Sequence, residues 1–209
     1  MHRTSFVRAL LLLLFLVAAP AACVGTEDEV VFNPSTPVAA SVDPGLTSDC
    51  DTEPLVGRLH GRVYALPLET KMLPDFDTLP AAGTICLDRL AVTERKGYPG
   101  FPGVRNRYEW FGVDLQGVFV VDEPGLFYFR LTSDDGSKLV IDGETVVDND
   151  GYHALRVGLG AARLTAGRHT IRVPYWQGPG PLALTLEVSQ PGEPYAVFHL
   201  DQPLHGSPQ

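Results

Sequence analysis

Two short acidic stretches, Ser133-Asp134-Asp135-Gly136 and Asp148-Asn149-Asp150-Gly151, hold the side chains best suited to chemistry in this chain. They bracket two alternating segments, 138–141 and 145–148, joined by Asp142-Gly143, a strong two-residue hairpin signal. With Asp142-Gly143 in the turn, paired positions sum to 285, which sets Asp135 opposite Asp150 and Ser137 opposite Asp148. Asp134, Asp135, Asp148, Asn149 and Asp150 then converge at the open end of one hairpin. Carboxylates gathered this closely repel one another unless a cation lies among them, and hard oxygen ligands on turn backbone suit calcium. Asp, Asn and Gly are also the residues that tight turns use for their own geometry, so the run reads as a calcium site or as turn chemistry alone.

Catalysis finds less support. The six histidines (His2, His60, His153, His169, His199 and His205) show no zinc spacing, and neither His-Glu-x-x-His nor Gly-x-Ser-x-Gly occurs. Asp134 and Asp135 are adjacent on one turn, which suits a metal better than the two sides of a glycosidic bond. We therefore expect no enzyme. The 25 acidic against 16 basic residues, a formal charge of -9, argue against a nucleic-acid partner, since phosphates need Lys and Arg.

The elements that must position these residues are strands. The 21 glycines and 18 prolines punctuate the 209 residues too often for long helices. Alternating segments recur at 61–66, 117–121, 126–132, 138–141, 145–148, 162–164, 170–176 and 182–188, with turns at Asp122-Glu123-Pro124-Gly125, Asp142-Gly143 and Ala166-Gly167. Phe127, Phe129 and Leu131 share one face, as do Ile171, Val173 and Tyr175. Consistent period-2 alternation places one face in a core and one in water, so the expected fold is an all-β antiparallel sandwich.

The N-terminus reads as an export signal: Arg3 and Arg8, then an apolar run at 9–19 that is short for a membrane span, then small residues before Cys23. Its ending resembles a bacterial lipoprotein signal with Cys23 as the lipidated residue. Cleavage after Ala19-Pro20-Ala21 is the alternative and would release a secreted or periplasmic soluble protein. With three cysteines and Cys23 lipidated, Cys50 and Cys86 are left as one disulfide pair in an oxidising compartment; a buried free thiol at Cys86 is the other reading. The organisation is thus a signal peptide at 1–22, an acidic Pro/Ser/Thr-rich tether at 23–54, a β-sandwich at 55–190, and a C-terminal segment at 191–209, partly edge strand and partly loose. The membrane is reached through the lipid anchor only.

Leu131-Thr132-Ser133-Asp134-Asp135-Gly136-Ser137-Lys138-Leu139, followed by Ile141-Asp142-Gly143 and Val147-Asp148-Asn149, resembles the central signature of the protective-antigen-type β-sandwich, the PA-14 domain. The likeness continues through Leu-x-x-Gly-x-His at 164–169 and Tyr175-Trp176-Gln177-Gly178, and covers about 56–188. It implies a jelly-roll-type, non-catalytic module, known from bacterial toxins, glycosidases, cell-surface proteins and sugar-binding yeast adhesins. In the adhesin branch two adjacent aspartates joined by a cis peptide hold a calcium ion that also contacts sugar hydroxyls, and Asp134 and Asp135 match that pair. A second loop completes the adhesin site. Its counterpart here, Gln177-Gly178-Pro179-Gly180, lacks the asparagine typical of that branch and leaves Gln177 and backbone carbonyls, including that of Gly178, as candidate ligands. Tyr152 and Trp176 are candidate platforms for a pyranose. Alternation with Tyr175 turns Trp176 outward, Trp110 is expected in the core, and Tyr152 is expected at the rim. The expected function is calcium-assisted binding of a carbohydrate or glycoconjugate at the cell surface. A structural or protein-interaction module without a sugar ligand is the alternative.

Overall fold

Strand formation follows the alternation. The computed structural model describes Ser41–Val42 and residues 56–206, with strands at Ser41–Val42 (β1), Leu59–Ala65 (β2), Gly83–Leu87 (β3), Ala91–Arg95 (β4), Val104–Arg105 (β5), Phe111–Glu123 (β6), Gly125–Asp134 (β7), Ser137–Ile141 (β8), Glu144–Asn149 (β9), Arg156–Leu164 (β10), Gly167–Gln177 (β11), Leu182–Ser189 (β12), Ala196–Val197 (β13) and Leu204–His205 (β14). The expected signal peptide, Cys23 and Cys50 lie outside the described residues. Among the described residues no helix is long and apolar enough to cross a membrane.

Two sheets stack. One runs β3-β2-β6-β11-β8-β9, with β14 added in parallel beside β6; the other runs β10-β7-β12-β13, with β4 also on β12. All other strand–strand pairings among the described residues are antiparallel, including a small β1–β5 ribbon that draws Ser41–Val42 from the expected tether onto the domain. Between the sheets lies one apolar core in which Phe119, Phe127, Phe129, Leu139, Val173 and Tyr175 are buried. The alternating positions named from sequence are the ones that face inward. In the C-terminal segment, expected partly as edge strand and partly loose, Leu204–His205 pairs with β6, and Phe198 and Leu200 are buried.

A second, smaller cluster forms on the outer face of the larger sheet. Tyr64, Leu66, Phe76 and Trp176 are buried there, with Leu73, Leu79 and Trp110 packed against them. Phe76 stacks on Tyr64 at 4.7 Å. It fits because position 112 is glycine: a Cβ there would lie 2.5 Å from the Phe76 ring. This cluster corrects the outward assignment of Trp176. Alternation does turn the indole away from the inner core, but the 66–80 segment covers that face and leaves Trp176 fully buried.

The hairpin register also differs from expectation. Ile141 pairs with Glu144, as the turn requires, but a bulge between Leu139 and Val140 shifts the pairing by one residue, so Lys138 faces Asp148 and Ser137 faces Asn149. An extra residue in one strand changes which side chains meet beyond it.

Candidate metal and ligand site

The open end of the β8–β9 hairpin is built by three connections: β7 to β8 at Asp134–Gly136, β9 to β10 at residues 150–155, and β11 to β12 at residues 178–181. Asp134 and Asp135 are only 4% and 1% exposed, and the peptide bond between them is cis. Asp135 ties the other two connections together, for its Oδ1 accepts from the His153 amide at 3.1 Å and its Oδ2 from the Gly178 amide at 2.7 Å. Burial raises the Asp135 carboxyl above the ordinary carboxylate range, and the two amides offset part of that. Asp134 is pushed up to about 6, first by burial, then by the negative charges of Asp135 and Glu94; the His153 charge and the Leu155 amide act the other way.

Beneath the pair, Tyr175 is fully buried, its hydroxyl 2.7 Å from the Asp134 carbonyl oxygen and 2.5 Å from Gln177 Oε1. Gln177 Nε2 in turn donates to the carbonyls of Gly178 and Pro181. The Gln177 side chain therefore shapes the 178–181 connection from below, and its oxygen is engaged by Tyr175. Gly178 stands where it was expected, against Asp135.

Asp148, Asn149 and Asp150 do not join the pair. Asp148 turns to Lys138 at 3.0 Å; burial raises its carboxyl, but the Asp150 amide and Lys138 outweigh that and hold it below the ordinary range. Asn149 is buried as a strut: its Nδ2 donates to Ser133 Oγ at 2.8 Å, and its Oδ1 accepts from Arg156 Nε at 2.7 Å. Asp150 Oδ1 accepts from the amides of Leu73 and Gly151. The bulge shifts the register of this end of β9, so that Lys138 and not Ser137 stands opposite Asp148. Among the described residues, no group of three or more His, Cys, Asp or Glu side chains gathers as for a metal ion. Neighbours that sequence reasoning missed are His153, Leu155 and Glu94. The first two act through backbone amides that any residue carries, and Glu94 arrives from a distant strand.

Tyr152 stands at the rim, 60% exposed, its ring 6.3 Å from that of Trp176. Trp110 is half-buried at the edge of the second cluster.

Residues 98–201 match the model of the PA14 domain family. The chain carries a PA14 domain. Its fold is shared with the PA14 domain of the MpAFP antifreeze protein, at TM-score 0.61 and 19% identity over 75% of this chain and 96% of that one. The PA14 sugar-binding domain from an RTX adhesin aligns at TM-score 0.60 and 21% identity, over 72% of this chain and 99% of its own. The epithelial adhesin 9 A domain from Candida glabrata, in complex with Galb1-4GlcNAc, aligns at TM-score 0.52 and 14% identity, over 79% and 96%. At these identities the likeness concerns the fold. No curated protein matches the chain. Within the PA14 domain, Asp134–Asp135 occupies the end of the sandwich where three connections meet.

Proposed function

We propose that this PA14 domain is a non-catalytic carbohydrate-binding module of the cell surface, and that calcium assists the binding at Asp134 and Asp135. One observation carries the reading: two adjacent buried carboxylates, both raised above their ordinary range, whose surroundings supply amides but, among the described residues, no Lys or Arg charge. Lys138 is engaged by Asp148 instead. Burying like charges without a counter-ion is costly, and a divalent cation removes that cost.

The donor set fits calcium. Both side chains offer hard oxygens, and each Asp135 oxygen accepts one amide and keeps a lone pair. Calcium takes about six to eight oxygens, so two carboxylates leave places for backbone carbonyls of the 178–181 connection, for water and for ligand hydroxyls. When bound, the ion supplies a Lewis-acidic point that exchanges water for sugar hydroxyls. Asp135 holds the two flanking connections at fixed spacing, and Tyr175 and Gln177 support them from below. The adhesin domains that share the fold, one named for sugar binding and one in complex with a disaccharide, support a glycan as the ligand. Surface placement rests on the signal peptide and lipidated Cys23. The proposed Cys50–Cys86 disulfide agrees with export.

Thermal melts of the full chain test the ion. At a hundredfold excess of calcium over Kd the fold gains about 2.7 kcal/mol, a rise of roughly 5–10 °C for a chain of this size. The Asp134→Asn, Asp135→Asn variant shows no rise. A glycan array with calcium and with chelator tests the ligand, and spots that survive chelation would remove the ion from the reading. The alternative, a protein-interaction module, is favoured by Val157 and Leu159 on β10 and by Leu155 just before it, all of them exposed. Val157→Glu leaves glycan binding intact if the first reading holds.

A further inference from the structure

We propose that the outer face of the larger sheet holds a second subsite, built by Arg62, Arg172 and Tyr64, that receives the carboxylate of an acidic sugar in the place now taken by Asp77. The inference rests on the carbohydrate half of the proposed function and not on the ion, and it names acidic sugars as a ligand class.

Alternation assembles the groups. Arg62 and Tyr64 on β2, Asp114 on β6 and Arg172 on β11 point away from the inner core, because Val63, Val113 and Val173 beside them point into it. Register then sets Arg62 beside Asp114 and Arg172 beside Gln116. The Asp114 side chain is fully buried with both oxygens engaged, Oδ1 by Arg172 Nε at 2.7 Å and Oδ2 by Gln116 Nε2 at 2.9 Å. One carboxylate thus stands between two guanidiniums and leaves one positive charge over.

Asp77 balances that charge, but loosely. It comes from the 3-10 turn at Phe76–Thr78, which Phe76 seats by stacking on the Tyr64 ring. The Asp77 side chain is 69% exposed, and Arg62 Nη2 lies 3.7 Å from its Oδ1 and 3.7 Å from Asp114 Oδ2, too far to hydrogen-bond either. An exposed pair held this loosely contributes little.

The Tyr64 hydroxyl points to a ligand independently. Tyr64 is 1% exposed, and its hydroxyl has no hydrogen-bond partner among the described residues, which is costly for a buried donor. Burial raises the hydroxyl above its ordinary value. Of the charges that reach it, Arg62 acts most strongly and lowers it, Asp114 and Asp77 raise it, and Arg172 lowers it. The unpartnered donor therefore lies among the same four charged groups.

Planar guanidiniums match the geometry of a carboxylate, and a tyrosine hydroxyl adds a further donor. A ligand carboxylate that displaces Asp77 leaves the local charge unchanged and, being free of the backbone, closes to hydrogen-bond distance. The net charge of -9 opposes an anion at long range, but salt at about 0.15 M screens exposed charges beyond about 8 Å. The contacts decide.

The test uses the full chain stripped of calcium, so that Asp134 and Asp135 hold no ion. Methyl glucuronoside and galacturonoside, the neutral methyl glucoside and galactoside, and acetate are titrated by calorimetry or ligand-observed NMR. The wild type is expected to bind one uronoside about tenfold more tightly than its neutral counterpart and than acetate. Asp77→Asn is expected to tighten that uronoside about threefold or more by removing its competitor. Arg62→Gln is expected to weaken it about tenfold, and Tyr64→Phe to weaken it without lowering the melting temperature. An Asp77→Asn affinity no higher than wild type overturns the inference, as does an Arg62→Gln affinity equal to wild type. A lower melting temperature for Tyr64→Phe means that the hydroxyl is satisfied within the fold, and also overturns it. Acetate binding as tightly as the uronoside means an adventitious ion only, and the inference falls. If no uronoside binds while neutral sugars bind in the presence of calcium, the inference falls and the proposed function stands. If no sugar of either kind binds with or without calcium, the carbohydrate reading falls and takes this inference with it.

Discussion

Replacing Asp134 by asparagine removes a charge that the calcium-free fold tolerates poorly. The Asp134 carboxyl stands at about 6 against an ordinary 3.8, and each unit is worth about 1.36 kcal/mol. Ionised Asp134 therefore costs the calcium-free fold roughly 3 kcal/mol at pH 7.5, a sizeable share of the roughly 5–15 kcal/mol that holds a domain together. The folded pKa lies above the unfolded one, so the folded state binds this proton more tightly. The cost is present in full above about pH 6, falls as pH drops between about 6 and 3.8, and is near 1 kcal/mol at about pH 4.5 by linkage. Asparagine keeps an oxygen for the Leu155 amide and ends the repulsion from Asp135 and Glu94. Urea denaturation of wild type and Asp134→Asn in chelator, at pH values from about 4 to 8, should show the variant more stable by up to about 3 kcal/mol at neutral pH, with the gap closing toward pH 4. Under the proposed calcium reading, saturating calcium should reverse the order, the wild type alone gaining from the ion. A variant less stable than wild type at pH 7.5 in chelator would refute the reasoning, for it would mean that the carboxylate is satisfied by the protein alone.

Three further outcomes follow from the geometry. His169 meets acceptors at both ring nitrogens, Asp142 Oδ2 at 2.5 Å and the Thr165 carbonyl at 2.8 Å; burial lowers its pKa, but Asp142 and Thr165 outweigh that and raise it above 6.5. Its contribution, about 1 kcal/mol in this partly open pair, is complete below pH 6.5 and is lost as pH rises through the folded value; a stability gap between wild type and His169→Gln that stays flat from pH 6 to about 9 would contradict this. Gly136→Ala puts a methyl group 2.3 Å from Trp176 Nε1 and should cost about 1–3 kcal/mol with a shift in tryptophan fluorescence. Asp114, buried and accepting from Arg172 Nε at 2.7 Å and Gln116 Nε2 at 2.9 Å, should cost about 2–3 kcal/mol when changed to alanine, whereas Glu187→Ala, which opens the partly exposed Arg130 pair, should cost under about 1 kcal/mol.

Position by position, sequence and structure agree where a rule acts over a few residues. Phe127, Phe129 and Leu131 had to share a face because strand side chains alternate, and Asp142-Gly143 had to turn because both residues accept positive φ, as they do here at 50° and 85°. The adjacent aspartates announce themselves by type and spacing, and their being neighbours in the chain keeps them together whatever the remainder does. The sandwich and the carboxylate pair were legible on those grounds.

What lay beyond local rules needed the tertiary structure. No residue type marks the bulge at Leu139–Val140, yet that single extra residue sets Asp148 opposite Lys138 and Asn149 opposite Ser137. Trp176 alternates outward as its strand demands, and only the return of the 66–80 segment, with Phe76 seated over Gly112, converts an outward side chain into a buried one. The Leu73 amide meets Asp150 across 77 positions of chain, and the amides that fix Asp135 come from His153 and Gly178, residues whose side chains do not predict the contact. Alternation and turn chemistry are properties of the chain itself, so the sequence determines them. Which distant segment covers a face, and which backbone amide reaches a carboxylate, depends on packing among all the strands at once, and only the folded arrangement decides it.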